Sequence, residues 1–281
     1  MKNQIDKIIR NAFADDIGAE DITTAAIVNS KQKAKGNFLI KEEGVLAGIE
    51  IAKRVFEIYD QLLNFQILIK DGQKVKPGNI AAVVSGTASS ILTAERTALN
   101  FLQRMSGIAT LTAKFVNEAK HTNAKIIDTR KTVPGLRILD KMAVKIGGGN
   151  NHRFGLYDMF LIKDNHIEIA GSITKAVEKC KAYNEQKEEQ FKIEVETKNI
   201  DEVKEALTCN VDVIMLDNFE ISEMKKAVKL IGGKCKVEAS GGISLQTVKA
   251  IAETGVDLIS VGALTHSVKA LDISLELLPE Q

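Results

Sequence analysis

The chain has 281 residues, 44% hydrophobic and 27% charged, with a formal net charge of +1. That is enough chain for one large or two modest domains with a sizeable core. The near-neutral balance excludes a global electrostatic case for nucleic acid or a membrane surface, and no apolar run approaches the roughly 18 residues of a spanning helix.

Ile5, Ile8, Ile9 and Phe13 fall on one face of a short N-terminal helix, in a segment too short and too charged for a signal peptide. A turn follows around Asp15, Asp16 and Glu20-Asp21. Strand-like pieces occupy Asn37–Ile40, Phe65–Ile69 and Ile80–Val84, with a helix over Ile51–Leu62 and turn signals at Asp71-Gly72 and Lys76-Pro77-Gly78. This stretch reads as an α+β unit with no catalytic constellation. Residues 92–120 carry a helical stripe of Leu92, Leu99, Leu102, Met105 and Ile108, which Gly107 is expected to divide into two helices.

Beyond it, apolar runs alternate with helical stretches. The runs are Lys125–Asp128, Met159–Ile162, Phe191–Val195, Val211–Leu216, Lys236–Ala239 and Leu258–Val261; the helices include Leu136–Ile146, Ile200–Leu207 and Ser244–Glu253. The alternation predicts parallel βα units. Polar groups collect at the strand ends: Asp128-Thr129-Arg130-Lys131, Lys163 to His166, Glu194 with Glu196, Asp217-Asn218, Glu238 with Ser240-Gly241-Gly242, and Gly262. A (β/α) barrel builds its active site from such ends, as an open doubly wound sheet also does, and six candidate strands predict a barrel that is short of eight or partly open.

From Lys120 to Asn165 there are nine Lys/Arg against four Asp/Glu. Arg130-Lys131, His152-Arg153 and Lys163 form basic strand-end clusters that point to an anion carrying several charges, because guanidinium grips carboxylate or phosphate in a fork and ammonium adds a point charge. Gly241-Gly242 and Gly262-Ala263 each follow a strand, and glycines there let backbone N–H groups approach a phosphate. Gly147-Gly148-Gly149 follows a helix and reads as its stop rather than as a dinucleotide fingerprint. No zinc spacing accompanies His152 or His166; His152 reads as a donor to a substrate carboxylate. Glu194 and Asp217 suit ribose hydroxyls or an Mg²⁺ that arrives with the substrate. Cys180, Cys209 and Cys235 lie far apart and read as reduced, buried thiols of a cytoplasmic protein.

In order along the chain, Thr93 to Asn100 (TAERTALN), Asp128 to Gly135 (DTRKTVPG), Asn151-His152-Arg153, Ile162 to His166 (IKDNH), Leu216 to Phe219 (LDNF), Ala239 to Gly242 (ASGG) and Val261 to Ser267 (VGALTHS) resemble the quinolinate phosphoribosyltransferases. Glu20-Asp21-Ile22-Thr23 departs from the Gly-Asp-Ile-Thr often seen there. The resemblance implies an α/β fold: an N-terminal α/β sandwich over residues 1–110, with the tail 268–281 packing on it, and an open α/β barrel over 111–267. It implies that quinolinate and 5-phosphoribosyl-1-pyrophosphate give nicotinate mononucleotide, pyrophosphate and CO₂, with Mg²⁺, in NAD biosynthesis. It also implies a homodimer, or a hexamer, with an active site shared between subunits. Carried over residue by residue, Arg130, His152, Arg153 and Lys163 face the quinolinate carboxylates, joined by Arg96 from the neighbouring subunit. Lys131 lies near the phosphoribosyl donor, and Thr129 beside it counts as substrate-binding. Glu194 and Asp217 hold ribose or Mg²⁺, with Lys131 counted beside them as catalytic, and Ser240, Gly241, Gly242 and Gly262 cradle the 5-phosphate. Alternatives are a same-fold transferase with another acceptor and a non-catalytic ligand-binding relative.

Overall fold

A computed structural model describes residues 2–279. The chain opens with α1 (Lys2–Asp16), α2 (Ile22–Ile27), β1 (Lys33–Ile40), β2 (Gly44–Val45), α3 (Ile49–Tyr59), β3 (Asn64–Ile67), β4 (Lys74–Val75), β5 (Ile80–Thr87) and α4 (Ala88–Ala119). It continues with β6 (Lys125–Ile127), α5 (Arg137–Ile146), β7 (Phe160–Ile162), α6 (Asp164–Ala170), α7 (Ile173–Glu185), β8 (Ile193–Thr197), α8 (Ile200–Thr208) and β9 (Val213–Asp217). The last elements are α9 (Ile221–Ile231), β10 (Lys236–Ser240), α10 (Val248–Ala252), β11 (Leu258–Ser260), α11 (Ala263–His266) and β12 (Ile273–Pro279).

Two compact units divide these elements: Met1–Ala113 with Thr132–Gly148 and Leu264–Gln281, and Lys114–Lys131 with Gly149–Ala263. The division differs from a single cut after residue 110, because α5 groups with the first unit. In that unit an antiparallel sheet runs β12-β1-β5-β3. The tail strand β12, which carries no turn signals, pairs along β1 with Phe38 opposite Leu275. Phe38 and Phe56 are fully buried, their ring centroids 6.0 Å apart, and Phe65 closes the cluster at 5.5 and 5.6 Å. The expected break at Gly107 is absent: α4 is continuous, and the missing side chain instead lets the Lys269 carbonyl approach the helix, where a Cβ would collide with it.

The second unit is a six-stranded parallel sheet ordered β6-β11-β10-β9-β8-β7. Among the described residues the outer strands β6 and β7 do not pair with each other, and Asn150 makes one parallel bridge to Ile127 at the β6 edge. The barrel is therefore open. Four of the five β9 residues are buried, as in a parallel strand covered on both faces.

One strand boundary matters for the site. The run expected at Phe191–Val195 forms its strand at Ile193–Thr197. Asn184 of α7 takes both backbone groups of Phe191, donating to its carbonyl at 2.8 Å and accepting from its N–H at 3.1 Å, so pairing starts later. Glu194 is thus the second residue of β8 and Glu196 the fourth. The helix expected over Ser244–Glu253 is trimmed to Val248–Ala252, and α6, α7 and α9 join the helices read from sequence. All three cysteines are free, but only Cys209 is buried; Cys180 and Cys235 are half-buried, which corrects the expectation of buried thiols. No helix among the described residues is long and apolar enough to cross a membrane.

Candidate active site

The C-terminal ends of the barrel strands surround a cavity of about 750 Å³. Its walls follow strand alternation: Lys163 after β7, Glu196 on β8, Met215 and Asp217 on β9, Glu238 and Ser240 on β10, and Ser260 on β11. The loop after β6 adds Thr129, Arg130 and Lys131, and the segment before β7 adds His152 and Arg153. Sequence separation of more than 100 residues thus closes into one basic-and-acidic basin. Another concavity, about 810 Å³, lies in the first unit among Asp15, Asp16, Thr97, Asn100 and Pro134. Among the described residues no cation lines it.

The basic flank is built on a buried carboxylate. Asp128, fully buried at the end of β6, accepts the His152 backbone N–H at 2.9 Å. The Arg153 backbone N–H donates to His152 Nδ1 at 2.7 Å, and Arg153 Nη1 donates to the Met159 carbonyl at 3.0 Å. Burial lowers the Arg153 pKa from its usual range, and the neighbouring Arg130 pushes the same way; Glu194 opposes both. A bound anion would relieve the repulsion between these two guanidinium groups. Lys163, half-exposed, pairs with Glu196 at 3.4 Å. His166 does not enter the cavity wall: its Nδ1 accepts the Lys163 N–H at 3.0 Å and caps α6.

The opposite flank is acidic and tight. Asp217 Oδ2 accepts from Asn218 Nδ2 at 2.9 Å, and the Asn218 N–H donates to the Ser240 carbonyl at 2.9 Å. Asn218 takes a left-handed φ of 56°, a conformation Asn tolerates better than most residues. Gly241 has φ +94°, and a Cβ there would collide with the Asn218 side chain, so the turn after β10 requires glycine. Gly241 and Gly242 both line the cavity; Gly262 follows β11 at the same end of the sheet.

Two expected site residues lie elsewhere. Arg96 is exposed on α4 in the first unit. Glu194 is fully buried on the barrel floor, where His152 Nε2 lies 2.9 Å from its Oε2 and 3.5 Å from Oε2 of Glu238, also fully buried. Desolvation raises the pKa of both carboxyls, Glu238 further because Glu194 sits beside it. The carboxylate that β8 offers to the cavity is Glu196. Both glutamates point to the same side of the strand two residues apart, and only the true strand start tells which one reaches the mouth.

An open barrel that sets forked cations against carboxylates and a glycine turn belongs to the class that joins a phosphorylated sugar to an acidic partner. Comparison with known proteins narrows this. The model for the quinolinate phosphoribosyl transferase N-terminal domain matches residues 21–106 and that for the C-terminal domain residues 108–276. A quinolinate phosphoribosyltransferase [decarboxylating] 1b of Nicotiana tabacum is 48% identical, covering 96% of this chain and 81% of that protein. A probable nicotinate-nucleotide pyrophosphorylase [carboxylating] of Bacillus subtilis (strain 168) is 43% identical, covering 97% and 93%. The crystal structure of NadC from Streptococcus pyogenes superposes with a TM-score of 0.95 at 40% identity, covering 100% and 99%. The chain belongs to the quinolinate phosphoribosyltransferase family.

Proposed function

We propose that this chain transfers the phosphoribosyl group of 5-phosphoribosyl-1-pyrophosphate to quinolinate and releases CO₂, giving nicotinate mononucleotide and pyrophosphate for NAD biosynthesis. The observation that carries the reading is the two-sided cavity: Arg130, Arg153 and Lys163 on the β6–β7 side, Glu196, Asp217 and the Gly241 turn on the other. The cations suit an acceptor with two carboxylates, and the opposite flank suits a phosphorylated ribose.

The pyridine nitrogen attacks ribose C1 as the C1–O bond to pyrophosphate breaks, its electron pair leaving with pyrophosphate. No side chain has to form a covalent intermediate; positioning and fixed charge carry the step. Arg153 and Arg130 hold the carboxylates, and Lys131 at the cavity rim faces the departing anion. N-ribosylation leaves a ring cation that accepts the electron pair of the C2–carboxylate bond when CO₂ departs, and a proton from water completes C2. We assign Glu196, rather than Glu194, to the donor side with Asp217, because Glu196 lines the cavity. Both are oxygen ligands that reach the cavity from adjacent strands, which fits an Mg²⁺ arriving with the donor. When bound there, Mg²⁺ supplies charge neutralisation for the leaving pyrophosphate. The three free cysteines support a reducing, cytoplasmic setting.

The direct test is nicotinate mononucleotide formation from quinolinate by purified protein, with matching CO₂. Product from nicotinate but not from quinolinate favours the paralogue reading; no product from either favours a ligand-binding relative. Asp217→Asn is expected to lower kcat/KM for the donor by about tenfold or more while quinolinate binding stays nearly unchanged. Steady-state kinetics with each substrate varied decides it, and collapse of quinolinate affinity alone reverses the assignment.

A homodimer with Arg96 acting in the partner's acceptor pocket completes the proposal; the exposure of Arg96 on α4 leaves it available for this. Mixing two inactive proteins, Arg96→Ala and Lys131→Ala, with subunit exchange puts both lesions in one site of a mixed dimer and none in the other. On this symmetry about a quarter of all sites regain activity. Mixed dimers that form and stay inactive refute sharing.

A further inference from the structure

Between Arg153 and β7 lies a loop to which the reaction gives no task. Leu156 and Tyr157 at its tip are 74% and 70% exposed, and Asp158 is exposed beside them. Burial of these side chains therefore does not fix the shape of the loop. Hydrogen bonds to one carboxylate do. Asp158 Oδ2 accepts the Phe154 N–H, and its Oδ1 accepts the Gly155 N–H at 3.1 Å. Both bonds join an ionisable acceptor to backbone donors three and four residues back, and they close residues 154–158 into a turn.

The turn governs Arg153 from two sides. Phe154 directly follows Arg153, so its tethered N–H sets the direction in which the backbone leaves that residue. Met159 directly follows Asp158, and its carbonyl accepts from Arg153 Nη1 at 3.0 Å. With Nη1 tied, the Nε edge of the guanidinium is the one turned to other use. That Nε is buried and has no hydrogen-bond partner among the described residues. A carboxylate that meets Nε and Nη2 together satisfies it in the forked geometry guanidinium prefers. Charge acts in the same sense. Burial and Arg130 work against the Arg153 cation, whereas Glu194 and Asp158 support it.

We propose that Asp158 is a positioning residue: it clasps the loop that aims Arg153 at a carboxylate of the acceptor. Asp158 is not among the described residues that line the cavity, so it acts through Arg153 and not on the substrate. The inference rests on the proposed reaction, because the grip it orders is the acceptor's.

The experiment compares full-length Asp158→Ala, Asp158→Asn, Arg153→Ala and the double variant Asp158→Ala/Arg153→Ala in steady-state kinetics. Asp158→Ala is expected to raise the quinolinate KM about tenfold, with kcat and the donor KM changed less than about twofold. Asp158→Asn keeps one oxygen acceptor for the turn and is expected to stay within about threefold of the wild type. In the Arg153→Ala background, Asp158→Ala is expected to lower the quinolinate kcat/KM by less than about a further twofold, because its route to the acceptor is gone. Additive losses in the double variant, an unchanged quinolinate KM in Asp158→Ala, a parallel loss in kcat and both KM values, or an Asn variant as weak as the Ala variant overturns the proposal. Hydrogen exchange gives a readout independent of turnover. The Phe154 and Gly155 amides are expected to exchange at least about tenfold faster in Asp158→Ala than in the wild type. Unchanged exchange overturns the clasp whether or not the reaction holds. Wild-type protein that makes no product from quinolinate overturns the reaction and with it the acceptor role of Asp158, while exchange still shows whether Asp158 holds the loop.

Discussion

Arg153→Ala is expected to weaken quinolinate binding by about 2–5 kcal/mol, a loss of at least roughly thirtyfold in affinity. The size follows from burial. An exposed ion pair contributes about 0–1 kcal/mol, because water and salt already screen it. Arg153 is not in that regime: desolvation and the neighbouring Arg130 both depress its pKa, so its charge is held at a cost that a bound carboxylate offsets. Its Nη1 is committed to the Met159 carbonyl at 3.0 Å, which fixes the direction of the fork. Removing the guanidinium leaves the bound carboxylate without its partner beside the half-buried end of the cavity. Arg153→Lys keeps the charge but loses the planar fork, so an intermediate loss is expected. Calorimetric titration of quinolinate measures both, and nicotinate, with one carboxylate, serves as the weak-binding control. A change under about threefold for the alanine variant removes Arg153 from the acceptor grip.

Much of this site is legible in sequence because of how a parallel barrel is built. Its strands are mostly apolar until they emerge, so the polar residues that follow each apolar run mark the region of the mouth, and Arg130, Lys163, Asp217 and Ser240 are all found that way. The same logic fails at Ile193-Glu194-Val195-Glu196. Two glutamates of equal parity occupy one inward face, and their depths differ by one strand repeat. The depth is set by Asn184 of α7 holding Phe191 out of the strand, a contact no local pattern announces. The buried cluster on the floor escapes for a related reason: Glu238 reads as one more strand-end carboxylate beside Ser240, and only the order of β8, β9 and β10 in the sheet brings it to Glu194 and His152. The tail strand β12 and the helix α5 are non-local cases of the same kind. Each is assigned by partners far along the chain, Phe38 and its neighbours for one and Arg104 for the other.

That last contact carries the largest stability effect expected in the first unit. Asp140 of α5 is fully buried and takes a two-pronged grip from Arg104 of α4, Nε to Oδ1 at 2.9 Å and Nη2 to Oδ2 at 2.8 Å. Arg104 Nη2 also donates to the Thr265 carbonyl at 3.1 Å, and the Val133 N–H donates to Asp140 Oδ2 at 3.3 Å. One ion pair therefore ties α4, α5, the turn before α5 and the start of the C-terminal segment. Arg104→Leu leaves a buried carboxylate facing one weak backbone donor, and such an orphaned charge costs about 3–5 kcal/mol. Against a typical total of about 5–15 kcal/mol this is a large share. The comparison with Arg104→Leu/Asp140→Leu separates the two contributions. If the cost is the unpaired charge, the double variant recovers most of it, because an apolar pair of similar volume replaces an ion pair at little loss. If the cost is the lost ties to Val133 and Thr265, the double variant stays as weak as the single one. Guanidinium unfolding followed by circular dichroism distinguishes these outcomes, and a single-variant cost under about 1 kcal/mol returns Arg104–Asp140 to the class of solvent-screened pairs.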